Sequence, residues 1–77
     1  MLADNQVEAL AFRIKEPGPV TGCQLMDLRI RKGVLISAII RGREIIVPSG
    51  QDCMLPGDLV VVVTTLKGIG SISRILE

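Results

Sequence analysis

Apolar and polar positions alternate along Glu8 to Glu16, EALAFRIKE, with Leu10, Phe12 and Ile14 on one side and Ala9, Ala11 and Arg13 on the other. That period of two predicts a half-buried strand. PGPVTG, residues 17–22, then sets two prolines and two glycines in a connection that can continue neither strand nor helix. Thr21 stands where it would cap a short helix over residues 22–28, whose Leu25 and Leu28 share a face. VLISAIIR, residues 34–41, is rich in β-branched residues and too short for a buried helix, so it predicts a strand. Gly42-Arg43 is a two-residue hairpin loop, since glycine can take the positive φ required at the first central position. In that register Arg41 lies opposite Glu44, Ile40 opposite Ile45 and Ile39 opposite Ile46. Pro48 ends or edges the returning strand, having no N–H to give a neighbour.

LPGD, residues 55–58, places proline and glycine at the two central positions of a type II turn and launches another strand. From Leu59 to Val63 polar alternation stops, which predicts a strand covered on both faces. Leu66, Ile69, Ile72, Ile75 and Leu76 form a stripe at helical spacing and predict a C-terminal helix, weakened in its first turn by Gly68 and Gly70. One helix covers one face, so a second copy of the chain is expected on the other, and the pattern predicts a homodimer. The order strand, short helix, hairpin, strand, helix gives an α+β fold with a largely antiparallel sheet. No internal repeat or low-complexity segment interrupts it.

Composition sharpens this picture. At 77 residues the chain is expected to form one domain, near the size where only about 60–65% of the unfolded surface can be buried and a partner helps. Residues 1–6 read as a linker tail, and residues 7–77 as the folded domain. Phe12 is the only aromatic, so the core must be aliphatic. Nine Lys and Arg against eight Asp and Glu leave no basic footprint for nucleic acid, and a single aromatic offers no stacking platform. No apolar run approaches the length of a membrane span, and Met1–Val7 carries no secretory pattern, so a cytosolic location is expected. Cys23 and Cys53, 30 residues apart, read as reduced, small apolar residues.

With no histidine, no nucleophile elbow and no clustered carboxylates, the chain is not expected to be an enzyme. GIGSIS, residues 68–73, lacks the third glycine and the Gly-Lys-Ser/Thr ending of a phosphate loop and reads as a loose helix start. RIRKG, residues 29–33, is a basic cluster that would hold a phosphate or an acidic neighbour, or simply be a solvated connection. Arg41 and Arg43 flank the hairpin whose shoulders are Ile39, Ile40, Ile45 and Ile46. Apolar walls with convergent cations suit a phosphate-bearing small ligand, and the bland alternative is an exposed Arg41–Glu44 ion pair.

VTGCQLMDL, GVLISAIIRGREIIVPSGQDCMLPGDLVVVV and the closing ISRIL together resemble the C-terminal domain (TrkA-C, or RCK C-terminal) of Trk-type potassium uptake regulatory proteins. The likeness covers about residues 7–76, and its most specific parts are the Arg41-Gly42 hairpin, the aliphatic pair before Pro48 and the Pro56-Gly57-Asp58 turn. It implies a cytosolic, ligand-sensing, dimerising regulatory domain that follows a Rossmann domain and gates a membrane potassium-conducting subunit. The chain has no dinucleotide fingerprint, so nucleotide binding by a Rossmann fold is not carried over, and the chain is expected to be a piece of a longer protein. Some members of the family bind cyclic di-AMP at the two-fold axis. The matching positions here are Ile39, Ile40, Arg41, Ile46, Val47 and Pro48. Two other classes compete: a stand-alone module for small oxyanions, which LPGDLVVVV also resembles, and a purely structural assembly domain.

Overall fold

The computed structural model describes residues 7–77, and the expected linker tail over residues 1–6 lies outside the described residues. Four strands form one antiparallel sheet: β1 (Glu8–Arg13), β2 (Val34–Arg41), β3 (Glu44–Ile46) and β4 (Leu59–Thr64), in the spatial order β1-β4-β2-β3. The valine run therefore lies inside the sheet, hydrogen-bonded on both edges, where β-branched side chains pack best. The hairpin has the predicted register, with Arg41 opposite Glu44, Ile40 opposite Ile45 and Ile39 opposite Ile46. Gly42 sits at φ +63° and Gly57 at φ +95°, as the two turns require.

Register decides which side chains meet. Phe12 and Ile39 flank Val60 across the strands, while Leu10 and Ile36 flank Val62. A bulge at Ser37 inserts one residue between Ile36 and Ala38, so that Ile36 and Ile39, three apart, both reach the core face. Ser37 Oγ donates to the Val61 carbonyl at 3.2 Å and anchors the bulge. Ile39, Met54, Val60, Val62 and Ile75 are wholly buried at the centre of an aliphatic core.

Both expected helices are corrected to single 3-10 turns, Leu25–Asp27 and Ile72–Ile75. In the first, the backbone is claimed by another segment: Leu25 N–H donates to the Asp52 carbonyl and Met26 N–H to the Gly50 carbonyl, both at 2.9 Å. Thr21 does not cap it; its hydroxyl closes a turn on Gly18, and its backbone bridges Met54. In the tail, Gly68 at φ +79° and the extended Ser71 break any helix, and Leu76 pairs with Ile30 as a β-bridge. The apolar stripe is still used: Ile69 and Ile75 are buried, and Leu66, Ile72 and Leu76 pack against the core. No helix among the described residues is long and apolar enough to cross a membrane.

Within the single chain, β4 is covered on one face and left open on the other. Val60, Val62 and Thr64 face the core, while Leu59, Val61 and Val63 stay half-buried on the opposite face. Ala9, Ala11, Leu35, Ala38, Ile40 and Ile45 share that outer face by register. Leu35 and Ile45 are 62% and 71% exposed there.

Candidate functional site

The hairpin and the turn that launches β4 meet in one polar cluster. The β2–β4 ladder sets Ile39 opposite Val60 and Ile40 opposite Leu59. One further step brings Arg41 to Asp58. Asp58 is 1% exposed, and a buried carboxylate demands a full set of donors. Arg41 supplies two, Nε to Oδ1 and Nη2 to Oδ2, each at 2.9 Å. The Leu55 N–H gives a third at 2.9 Å, the turn's own backbone closing on the side chain. Arg41 Nη2 also donates to the Cys53 carbonyl at 2.9 Å. The hydrogen bonds from Arg41 hold the Asp58 carboxyl below its ordinary pKa against the opposing effect of burial, with the Leu55 N–H and the Arg41 charge acting the same way.

This cluster fixes a strap, residues 47–55, over the end of the sheet. Asp52 stiffens the strap by accepting the Ser49 N–H, at 2.6 Å, and the Ser49 hydroxyl. Gly50 then lies so close to the Leu25–Asp27 turn that a Cβ there would stand 3.2 Å from Met26 Cβ. Beside this junction runs a groove of about 330 Å³, lined by Leu25, Met26, Ile30, Arg31, Val34, Leu35, Ile36, Pro48, Ser49 and Gly50. A second hollow of about 280 Å³ lies against Val7, Leu35 and Val63.

The residues expected to bind ligand are distributed over these features. Ile39 is wholly buried in the core, and Ile46 is half-buried beside it on the same face. Ile40 is half-buried on the outer face, Val47 is 82% exposed, and Pro48 alone of the six lines the groove. Arg41 is half-buried and turned to Asp58; it makes no ion pair with Glu44, its cross-strand neighbour. Sequence reasoning missed Asp58 as the partner. The available signal was parity, because Asp58 stands two residues before core-facing Val60 and Arg41 two after core-facing Ile39. It also missed Met26, and it named Arg31 only within the basic cluster of residues 29–33, because the groove they share depends on contacts far apart in the chain. Cys23 and Cys53 are free and half-buried.

The described residues thus form a four-stranded antiparallel sheet with one aliphatic core and a largely apolar outer face. The model of the TrkA-C domain family matches residues 9–77, and the chain belongs to that family. Among its relatives is the Trk system potassium uptake protein TrkA homolog 2 of Methanosarcina mazei, 27% identical over 75 residues, which are 97% of this chain and 17% of the relative. The TrkA homolog 1 of the same organism is 32% identical over 70 residues, 91% of this chain and 16% of the relative. The chain thus spans about a sixth of the length of these relatives and is homologous to potassium uptake regulatory proteins. A solved structure described as an RCK domain with cda superposes with a TM-score of 0.68 at 24% identity, covering 90% of this chain and 97% of that one. That likeness speaks for the fold.

Proposed function

We propose that this chain is a cytoplasmic regulatory domain of a potassium transport system, which senses a ligand, pairs with a second copy of itself and gates a membrane potassium-conducting subunit. It carries out no chemical step. Family membership supports the setting. The observation that carries the proposal is the outer sheet face, where Ala11 and Ala38 flank Val61, and Ala9 and Leu35 flank Val63, with Arg13 opposite Leu59 at its margin. Contiguous apolar surface of this kind marks an interaction site. A two-fold pairing of sheets buries it and gives the assembly two ligand-facing hairpins related by symmetry.

The ligand proposed is cyclic di-AMP, with Ile40, Arg41, Ile46, Val47 and Pro48 as the positions that serve it and Ile39, wholly buried, supporting them from the core. Arg41 uses Nε and Nη2 internally. Its Nη1 has no partner among the described residues and keeps two N–H donors for a phosphate. The homologous fold described with cda is a further support. Calorimetry with cyclic di-AMP tests the reading, and one ligand per two chains is expected. No heat from cyclic di-AMP, with heat from molybdate or tungstate, would replace this ligand by an oxyanion. No heat from any of them would leave an assembly role alone.

A further inference from the structure

We propose that the end of the domain where the chain enters β2 and leaves β4 is a docking surface for an extended, acidic segment of a partner protein, an inference that goes beyond the ligand and the outer face described above. Separate stretches of chain bring their cations together there. Arg31 N–H donates to the Ile75 carbonyl at 2.8 Å and its Nη1 to the Arg74 carbonyl at 3.1 Å, while Glu77 N–H donates to the Arg29 carbonyl at 2.8 Å. Thr65 N–H donates to the Gly33 carbonyl at 3.0 Å, which brings Lys32 and Lys67 to the same end. Arg29, Lys32, Lys67 and Arg74 are exposed, and Arg31 is half-buried. The neighbouring carboxylates are Asp27, Glu77 and, opposite Thr64, Glu8. None of them makes an ion pair with these cations, whereas Arg41 is compensated by Asp58. Uncompensated cations on a frame tied by backbone hydrogen bonds form a fixed positive surface, which draws in carboxylates.

The groove beside this surface decides the form in which the carboxylates arrive. It opens at Arg31 and is walled by Leu25, Met26, Ile30 and Pro48. A flat anionic bilayer cannot reach into it, but an extended polypeptide can. The hydrogen bond from Thr65 to Gly33 sets the alternation of the β2–β4 ladder, so Ile36, like Val34, turns its N–H and C=O away from β4. Val34 N–H is taken by the Arg31 carbonyl, and β3 pairs with β2 only from Ile39 onward, which leaves the Ile36 groups open toward the groove. An unpaired strand edge of this kind takes an added strand, whose main chain supplies the matching donor and acceptor. Antiparallel to β2, like the rest of the sheet, the added segment runs with its C-terminal end toward Arg31 and Lys32. An apolar side chain opposite Ile36 enters the groove, and carboxylates further along meet the cations.

Amide chemical shifts of the isotope-labelled chain, titrated with the blocked peptide acetyl-Thr-Val-Thr-Val-Glu-Glu-Glu-amide, read the surface directly. Saturable shifts at Met26, Lys32 and Ile36 are expected, and none with the counterpart in which lysines replace the glutamates. Arg31→Gln combined with Lys32→Gln keeps a donor for the Arg74 carbonyl and removes two charges, so it should weaken the peptide about three- to tenfold at an unchanged melting midpoint. N-methylation of both valines removes the N–H groups that reach the Ile36 carbonyl and should weaken the peptide about fivefold. No saturable shift with the acidic peptide, equal binding of the lysine peptide, or full affinity of the N-methylated one would overturn the proposal. Shifts at Lys32 and Ile36 that grow with protein concentration alone would overturn it in favour of a second copy of the chain. An inert peptide together with co-sedimentation on phosphatidylglycerol vesicles, lost in the double variant, would overturn it in favour of a membrane.

Discussion

Arg41 and Asp58 show how two charges can be taken into an aliphatic fold. Asp58 is buried with three donors on its two oxygens, so its removal or orphaning leaves polar groups unpaired rather than merely deleting an attraction. Asp58→Ala should cost about 3 kcal/mol in urea unfolding, the scale for breaking a buried, hydrogen-bonded charge pair. Arg41→Ala should also lower the midpoint. The pH dependence follows from the direction of the shift. The folded carboxyl titrates below the ordinary value near 3.8, so its contribution is full above that value and falls away as pH drops through the lower folded value. Asp58→Asn should flatten the loss of stability seen between neutral pH and strongly acidic pH, and an unchanged acid limb would remove Asp58 from the account. At the hairpin tip, Gly42 holds φ +63° with open space around it, so strain and not collision opposes a side chain there. Gly42→Val should therefore lower the urea midpoint clearly more than Arg43→Ala, and equal midpoints would contradict the turn.

The strands and tight turns were legible because their determinants are local. Alternation marked Leu10, Phe12 and Ile14, and Gly42 and Pro56-Gly57 set turns whose geometry only those residues favour. The tail was misread for a physical reason. A spacing of three from Leu66 through Ile75 serves a 3-10 turn and an irregular strap as well as a helix, and Ile30, reached only in three dimensions, pairs with Leu76. The site was least legible because it is assembled from separate segments: the turn over Leu25–Asp27, the strap after Pro48 and the start of β2. Gly33 is where these elements depend most on one residue. It turns the chain into β2 at φ +88°, and a Cβ there would stand 2.7 Å from Thr65 Oγ1. Gly33→Ala should cost about 1–3 kcal/mol from backbone strain, measured as a shift in urea midpoint. A neutral substitution would mean the turn relaxes freely and the groove is not rigidly framed.

At the scale of the molecule, the sheet has one face sealed by turns and straps and the other left open. The sealed face holds Val60, Val62 and Ile39 at zero exposure, which spends the chain's loops on one side of a four-stranded sheet. On the open face Val61 lies between Ala11 and Ala38, so small neighbours frame the central valine, with larger Leu35 and Ile45 nearer the margins. Two such faces can pack against each other about 10 Å apart, the spacing of stacked sheets. Sedimentation of the wild-type chain should show a dimer at micromolar concentration. Val61→Glu places one carboxylate per chain at the centre of the proposed interface, where pairing would desolvate like charges. The variant should sediment as a monomer that keeps the strand-rich circular dichroism of the wild type, with a urea midpoint that no longer rises with protein concentration. Arg43→Glu, at the exposed hairpin tip, should leave the dimer intact. A wild-type monomer would overturn the pairing through this face, and a Val61→Glu dimer would place the pairing surface elsewhere on the domain.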